Sequence, residues 1–321
     1  MSEATSTQQL ILDTAGRIFS DHCNKQMLDQ AETGALAEAL WAQIADNGFN
    51  QLGSVGSGTD ASDMYAFIQL CGNHAVPLPI AETLLVNQWC GADNGLFSIG
   101  EIEEGTIVNV PWGRAAEKVV GLEANSNTIY VVSNPQMVGE GTSMAGEPRD
   151  TVALPDSAYQ VTLEQSPYAQ MAVARSNQIA GSLLKMLDLG IQYSSERVQF
   201  GRAISKFQAI QHSLAIVAAE AAAAKRAADA AADALSSDRF VAEVAASKAR
   251  VGEAATVVAE QVHQIHGAMG FTHEHQLHHY SRRAWAWRDD YGNEFYWQSY
   301  LGSHLAHLGA DQAWSFIATQ G

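Results

Sequence analysis

A chain of 321 residues with a formal charge of −17 is long enough for two or three packed units, so its fold needs neither disulfides nor a metal. Its three cysteines, Cys23, Cys71 and Cys90, lie far apart without metal-type pairing, which excludes a zinc ribbon or a secreted disulfide framework and suits a reducing cytoplasm. Residues 1–165 carry 21 acidic against 5 basic residues and residues 166–321 carry 14 against 13; so negative a surface excludes nucleic acid and anionic membrane as partners and sends any anionic cofactor to the C-terminal half. The start, MSEATSTQQL, lacks the basic and apolar regions of a signal peptide, and no run approaches the about 18 to 20 apolar residues of a membrane span. A soluble cytoplasmic protein is expected.

In chain order, residues 5–105 read as short helices separated by turns. Leu36, Leu40 and Ile44 fall at four-residue spacing before Asn47-Gly48, and Pro79 opens a helix over Ile80–Trp89. Between 106 and 165 the pattern becomes β-prone, at Ile107–Val110, Val119–Leu122, Thr128–Ser133 and Tyr159–Leu163, broken by Gly, Asn, Pro and Asp. From Ser166 helical stripes return: Ile179, Leu183, Leu187; then Phe207, Ile210, Leu214, Val217; then Val244, Val251, Val258, Val262, Ile265. The alanine-rich run Ala218–Ala234 has high helix propensity and lets neighbouring helices come close. A mainly α chain follows, with an N-terminal helical domain over 1–105, a small β-rich middle over 106–165 and a long-helix bundle over 166–321.

Two motifs carry little. Gly53, Gly56 and Gly58 in LGSVGSG lack the strand before and the Lys-Ser/Thr after that a phosphate loop needs, and read as a flexible loop. His273, His275, His278 and His279 match no zinc spacing such as HExxH and read as a solvated or interfacial cluster, so no metal is expected. There is no GxSxG elbow to support a hydrolase.

The informative stretches are ERVQFGRAISKFQAIQH from Glu196 to His212 and QIHGAMGFT from Gln264 to Thr272, followed by SRRAWAWRDDYGNE. Taken singly, Ser205 and Gln208 fit a helix capping box, and Gly267 and Gly270 a helix stop. Together, in this order and across two long helical stripes, they resemble the C-terminal domain of the flavin-dependent acyl-CoA dehydrogenases; LWAQIADNGFNQL and HAVPLPIAETLL resemble more loosely the N-terminal domain of that family. The resemblance implies FAD as cofactor, gripped at its pyrophosphate by Arg197 across a subunit interface, with Gln199 and Phe200 of the same motif, Gln208 as a polar contact, and the turn formed by Gln264, Ile265, Gly267, Ala268 and Gly270 against the ADP half. A guanidinium fork matches pyrophosphate oxygens, and small residues admit backbone N–H groups to the same anion. Ala268 stands in place of the family's second glycine and fits if its φ is negative.

The family pattern fails in two places. The Glu-Pro-x-x-Gly-Ser-Asp-like loop and Trp-Ile-Thr-like strand that cradle the isoalloxazine ring are missing from 106–165. The glutamate that removes the substrate α-proton is replaced by Tyr291 at one of its family positions and Met171 at the other, leaving Asp290 as a weak candidate base beside Arg282, Arg283 and Arg288. Shortened family members of this kind form α2β2 heterotetramers in bacterial steroid side-chain degradation. The resemblance therefore implies a subunit that completes a catalytic partner's site for α,β-dehydrogenation of a bulky acyl-CoA, such as a steroid or bile-acid side-chain thioester. Two alternatives stand beside it: a self-sufficient homo-oligomer using Asp290, and a scaffold that has lost flavin.

Overall fold

The computed structural model describes residues 3–318. Helices α1 (Glu3–His22), α2 (Lys25–Ala31), α3 (Glu38–Asp46), α4 (Ala61–Asn73) and α5 (Ile80–Cys90) come first. They start where polar side chains can take up free N–H groups: Asn24 caps α2, and Asp60 with Asp63 closes a capping box on α4. As expected, α3 ends at Asn47, with Gly48 at φ 71°, and Pro79 precedes α5.

Strands β1 (Phe97–Glu103), β2 (Thr106–Pro111), β3 (Lys118–Leu122), β4 (Thr128–Ser133), β5 (Met137–Gly139), β6 (Arg149–Ala153) and β7 (Tyr159–Thr162) form one sheet in the order β5-β6-β2-β1-β3-β4-β7. All pairings are antiparallel except β1 with β3. The sheet thus opens at Phe97, ahead of the composition change at 106. β1 contains Gly100 and two glutamates, and β6 begins with the charged pair Arg149-Asp150, so neither resembles a strand by composition. Both charges of β6 are buried because each has a partner, Asp290 for Arg149 and Arg114 for Asp150.

The back half is α6 (Pro167–Glu196), a short hairpin of β8 (Val198–Gln199) and β9 (Arg202–Ala203), then α7 (Gln208–Asp233), α8 (Phe240–His266), α9 (Leu277–Asp289), α10 (Glu294–Leu308) and α11 (Ala310–Ala318). Helix α6 is the central post. Every residue from Pro167 to Leu183 is buried, touching both the N-terminal helices and the bundle. It crosses α4 at two glycines, Gly72 facing Gln178 and Gly181 facing Gln69, and a Cβ at either would collide with the opposing backbone. On α7, Ala221, Ala224, Ala228 and Ala231 form the buried stripe, which packs closely on α8 as an alanine seam allows. Among the described residues no helix is long and apolar enough to cross a membrane.

Candidate functional site

Two regions carry the residues singled out by the sequence. The first is the junction of N-terminal helices, sheet and bundle, where Tyr291 and Met171 lie. Met171 is fully buried and Tyr291 is 2 % exposed. Tyr291 adopts φ 55°, donates its hydroxyl to Ile99 O at 3.2 Å and sits 5.6 Å beneath the Arg175 guanidinium. Burial pushes its pKa well above the ordinary tyrosine value, so it cannot act as a base at neutral pH.

Asp290 beside it is fixed by three donors. Arg175 Nε and Arg149 Nη1 each approach Oδ2 at 2.9 Å, and Asn109 Nδ2 approaches Oδ1 at 3.1 Å. Asn109 reaches it because β2 is irregular between Ile107 and Val110, with Asn109 at φ 55°; such a bulge re-aims a side chain. Burial alone would raise the pKa of Asp290, but the Arg149 and Arg175 charges, with the Asn109 hydrogen bond, overcome it and hold the group at about 2. A carboxylate so tightly held has no proton affinity to offer, which removes Asp290 as the base.

The pairing continues in both directions. Arg175 also binds Glu82 and Gln178. Arg149 Nη2 lies 3.5 Å from Glu147, whose Oε1 accepts from Arg283 Nε at 3.0 Å, and Arg283 reaches Glu32 at 3.5 Å. This buried chain of charges ties α2, α5, α6, β6 and α9 together. It fills the junction: the space left among Pro79, Glu82, Trp112, Arg149, Arg175 and Trp287 is about 10 Å³, room for one water at most. Among the described residues Glu101 is the carboxylate whose pKa is raised, by burial first and then by Asp290; sequence reading missed it because β1 was not recognised.

The second region is open. Arg197 ends α6, and after it Val198–Ala203 turns back as a hairpin with Phe200 at φ 53° and Gly201 at φ 79°, the left-handed pair of a two-residue hairpin loop. Phe200 is 92 % exposed. A large aromatic held at positive φ and in solvent is strained; within this chain its ring meets the edge of Phe207, centroids 6.1 Å apart. The last turn of α8 and the 3₁₀ turn Gly267–Phe271 face the hairpin, and Gly267 leaves α8 at φ 57°, ψ −138°.

Arg197, Gln199, Phe200, Gln264, Ile265, Gly267 and Ala268 all line one cavity of about 400 Å³. Ala268 is outside the positive-φ region, as its place in the turn requires. Arg197 is exposed, and its guanidinium makes no hydrogen bond or ion pair with any described residue. Tyr193, outside every motif, and His266, inside QIHGAMGFT but given no role there, form the wall, stacked at 4.4 Å with the His266 Nδ1 on Val262 O at 2.8 Å; the signal for Tyr193 is position alone, one turn before Arg197.

Two expected members lie elsewhere. Gln208 begins α7 and faces a separate opening with Ala209, Gln211 and His212, and the Ser205–Gln208 capping box does not form, since Phe207 is the N-cap residue and makes no side-chain cap. Gly270 is buried behind the turn, on a larger cavity of about 670 Å³ that shares Gln264 with the first. A Cβ there would press on His266 and His263 at 3.0–3.2 Å, so its smallness serves packing. The larger cavity has Arg282 as its cation, already engaged by Met144 O and Glu32; the smaller one, with its free guanidinium, is the better anion site.

The acyl-CoA dehydrogenase C-terminal domain model matches residues 167–288. The acyl-CoA dehydrogenase IpdE2 of Mycolicibacterium smegmatis is 24 % identical over 307 residues, covering 86 % of this chain and 92 % of that protein. Among solved structures, a chain of the ChsE4-ChsE5 complex from Mycobacterium tuberculosis superposes with a TM-score of 0.82 at 18 % identity, over 97 % of this chain and 99 % of that one. A chain of a Tcur3481-Tcur3483 steroid ACAD variant gives 0.82 at 18 % over 95 % and 99 %. The motifs of the open site fall within residues 167–288, which belong to the acyl-CoA dehydrogenase C-terminal domain family, and the fold is shared from end to end with chains of the ChsE4-ChsE5 and Tcur3481-Tcur3483 complexes.

Proposed function

We propose that this chain is one subunit of an FAD-dependent acyl-CoA dehydrogenase and supplies the ADP-half contacts of a flavin whose ring and catalytic base belong to a partner subunit. The observation that carries this reading is the contrast between the two regions. The junction where the family places its base holds Tyr291 and Met171, both buried, beside a carboxylate locked by two arginines, whereas the cavity around Arg197 is open and its cation free. The residues fit the cofactor: Arg197 offers a fork for a pyrophosphate, Gly267 and Ala268 bring backbone close to it, and the strained Phe200 has a natural place against a neighbouring subunit. Bound flavin supplies the acceptor for the hydride that leaves the thioester's β-carbon. This chain's own part is to hold the anionic end, exclude water from it and complete the interface.

The homo-oligomeric alternative loses its base with Asp290. A scaffold without flavin gives no reason for an unpaired arginine and a strained aromatic on one rim. For the substrate, a steroid-type acyl-CoA is the reading supported by the steroid ACAD among the structural neighbours, and an unlike partner chain is supported by the two-component complexes found there.

Arg197→Ala tests the assignment. In the assembled complex it should weaken FAD retention by about 1.5–3 kcal/mol, the worth of a hydrogen bond to a charged group, or roughly ten- to hundredfold, with subunit assembly unchanged by size-exclusion chromatography. Undiminished FAD affinity in that variant would make Arg197 an interface residue only.

A further inference from the structure

We propose that Asp29, His278 and His279 bind a divalent transition-metal cation, zinc being the best chemical match, at the contact between α2 and α9. One ligating atom from each residue falls within 4.8 Å of the other two. His278 is 8 % exposed and His279 fully buried, and the Nε2 atoms of both lack a hydrogen-bond partner. His279 Nε2 lies 3.2 Å from Asp29 Oδ1 without hydrogen-bond alignment.

The other ring nitrogens fix the tautomers. His278 Nδ1 is 2.7 Å from the carbonyl of His275, and His279 Nδ1 is 2.6 Å from Glu32 Oε1. A carbonyl and a carboxylate only accept, so each Nδ1 donates its proton outward and each Nε2 is the ring atom left over on the Asp29 side without a hydrogen-bond partner. Two unpartnered ring nitrogens and a carboxylate thus converge at the edge of the buried rings, where one shared cation satisfies all three. A proton satisfies one ring at most, because two imidazolium rings with centroids 4.0 Å apart would repel each other. A metal satisfies both.

Two imidazole nitrogens and one carboxylate oxygen, with a fourth position left for water, match zinc; magnesium and calcium demand oxygen ligands throughout. The His279–Glu32 contact is the carboxylate–histidine support that orients such ligands, and Glu32 is itself held by Arg282 at 3.1 Å and Arg283 at 3.5 Å. Asp29 is half-exposed, which gives the ion a way in, and its other oxygen is paired at 2.6 Å to Lys25, itself about one-third exposed, an ammonium with room to swing into solvent. The ligands are adjacent on one helix and joined by a distant one, so no spacing motif could announce them. The bound ion would clamp the N-terminal helices onto the bundle.

The untagged full-length chain, stripped with chelator, is titrated with Zn²⁺ by calorimetry and with Co²⁺ by visible absorption. The expected result is one ion per chain, the intense d–d bands of four-coordinate Co²⁺, their loss on adding Zn²⁺, and a higher melting temperature. Asp29→Asn and His278→Gln should each remove the Co²⁺ bands while the metal-free chain keeps its circular dichroism. No saturable binding, or binding that survives in both variants, overturns the proposal; so does an NMR spectrum showing His279 as an imidazolium at neutral pH that Zn²⁺ does not alter.

Discussion

Asp290→Asn is expected to destabilise the fold by about 3–5 kcal/mol, because it removes the anion shared by two buried arginines. Arg149 is 7 % exposed and Arg175 2 %. An amide oxygen of the same shape can still accept a hydrogen bond but cannot neutralise either guanidinium. The substitution preserves shape, but the buried pairing with Arg149 and Arg175 makes it a test of stability. The pH dependence has a definite sign. The Asp290 carboxyl is held at about 2 against an ordinary 3.8, so its stabilisation is fully present above the unfolded value and is lost as pH falls from about 4 through 2. At about 1.4 kcal/mol per unit this contributes about 2 kcal/mol. Urea midpoints for wild type and variant between pH 7 and 2 measure both effects. A variant as stable as wild type at pH 7 would contradict the ion-pair account of the junction.

In the assembled complex, Tyr291→Phe should leave turnover within a few-fold of wild type, whereas replacing the catalytic glutamate of the partner subunit with glutamine should lower it by about 10²–10⁴, the usual worth of a general base. Tyr291 loses only its hydrogen bond to Ile99 O, about 0.5–1.5 kcal/mol of local stability. Exchange of the substrate α-proton into solvent is the direct readout. If Tyr291→Phe abolished exchange with flavin content and assembly intact, the base would lie in this chain.

Much of this architecture is legible from periodicity. The stripes through Leu183, Val217 and Val258 mark the three long helices because one face of each is buried, and the Asn47-Gly48 stop is visible because glycine takes the left-handed turn there at no cost. Strands β1 and β6 are not legible, since Arg149 and Asp150 are tolerated in the core only through partners far away in sequence, at Asp290 and Arg114. The same reason hides the closed junction: Glu82, Arg175 and Asp290 are ordinary surface-type residues until the fold brings them together.

The open site divides similarly. Gly267 is readable as a helix stop from the backbone's own needs, whereas Arg197 and Phe200 are readable through the family resemblance of ERVQFG. Gln208 and Gly270 were grouped with them by resemblance, but the fold sets them around the corner. Tyr193 lies outside every motif, and His266 sits within QIHGAMGFT without a side-chain role that the motif announces.

The central claim is that this chain holds one end of a flavin and none of the chemistry. Its most direct measurement is the visible absorption spectrum of the purified chain alone and after co-expression with its candidate partner chain. The account predicts a folded, mainly helical and nearly colourless protein alone, since a dinucleotide held only at its ADP end dissociates, and a yellow complex with dehydrogenase turnover when the partner is present. Stoichiometric flavin and acyl-CoA turnover in the chain purified by itself would contradict it.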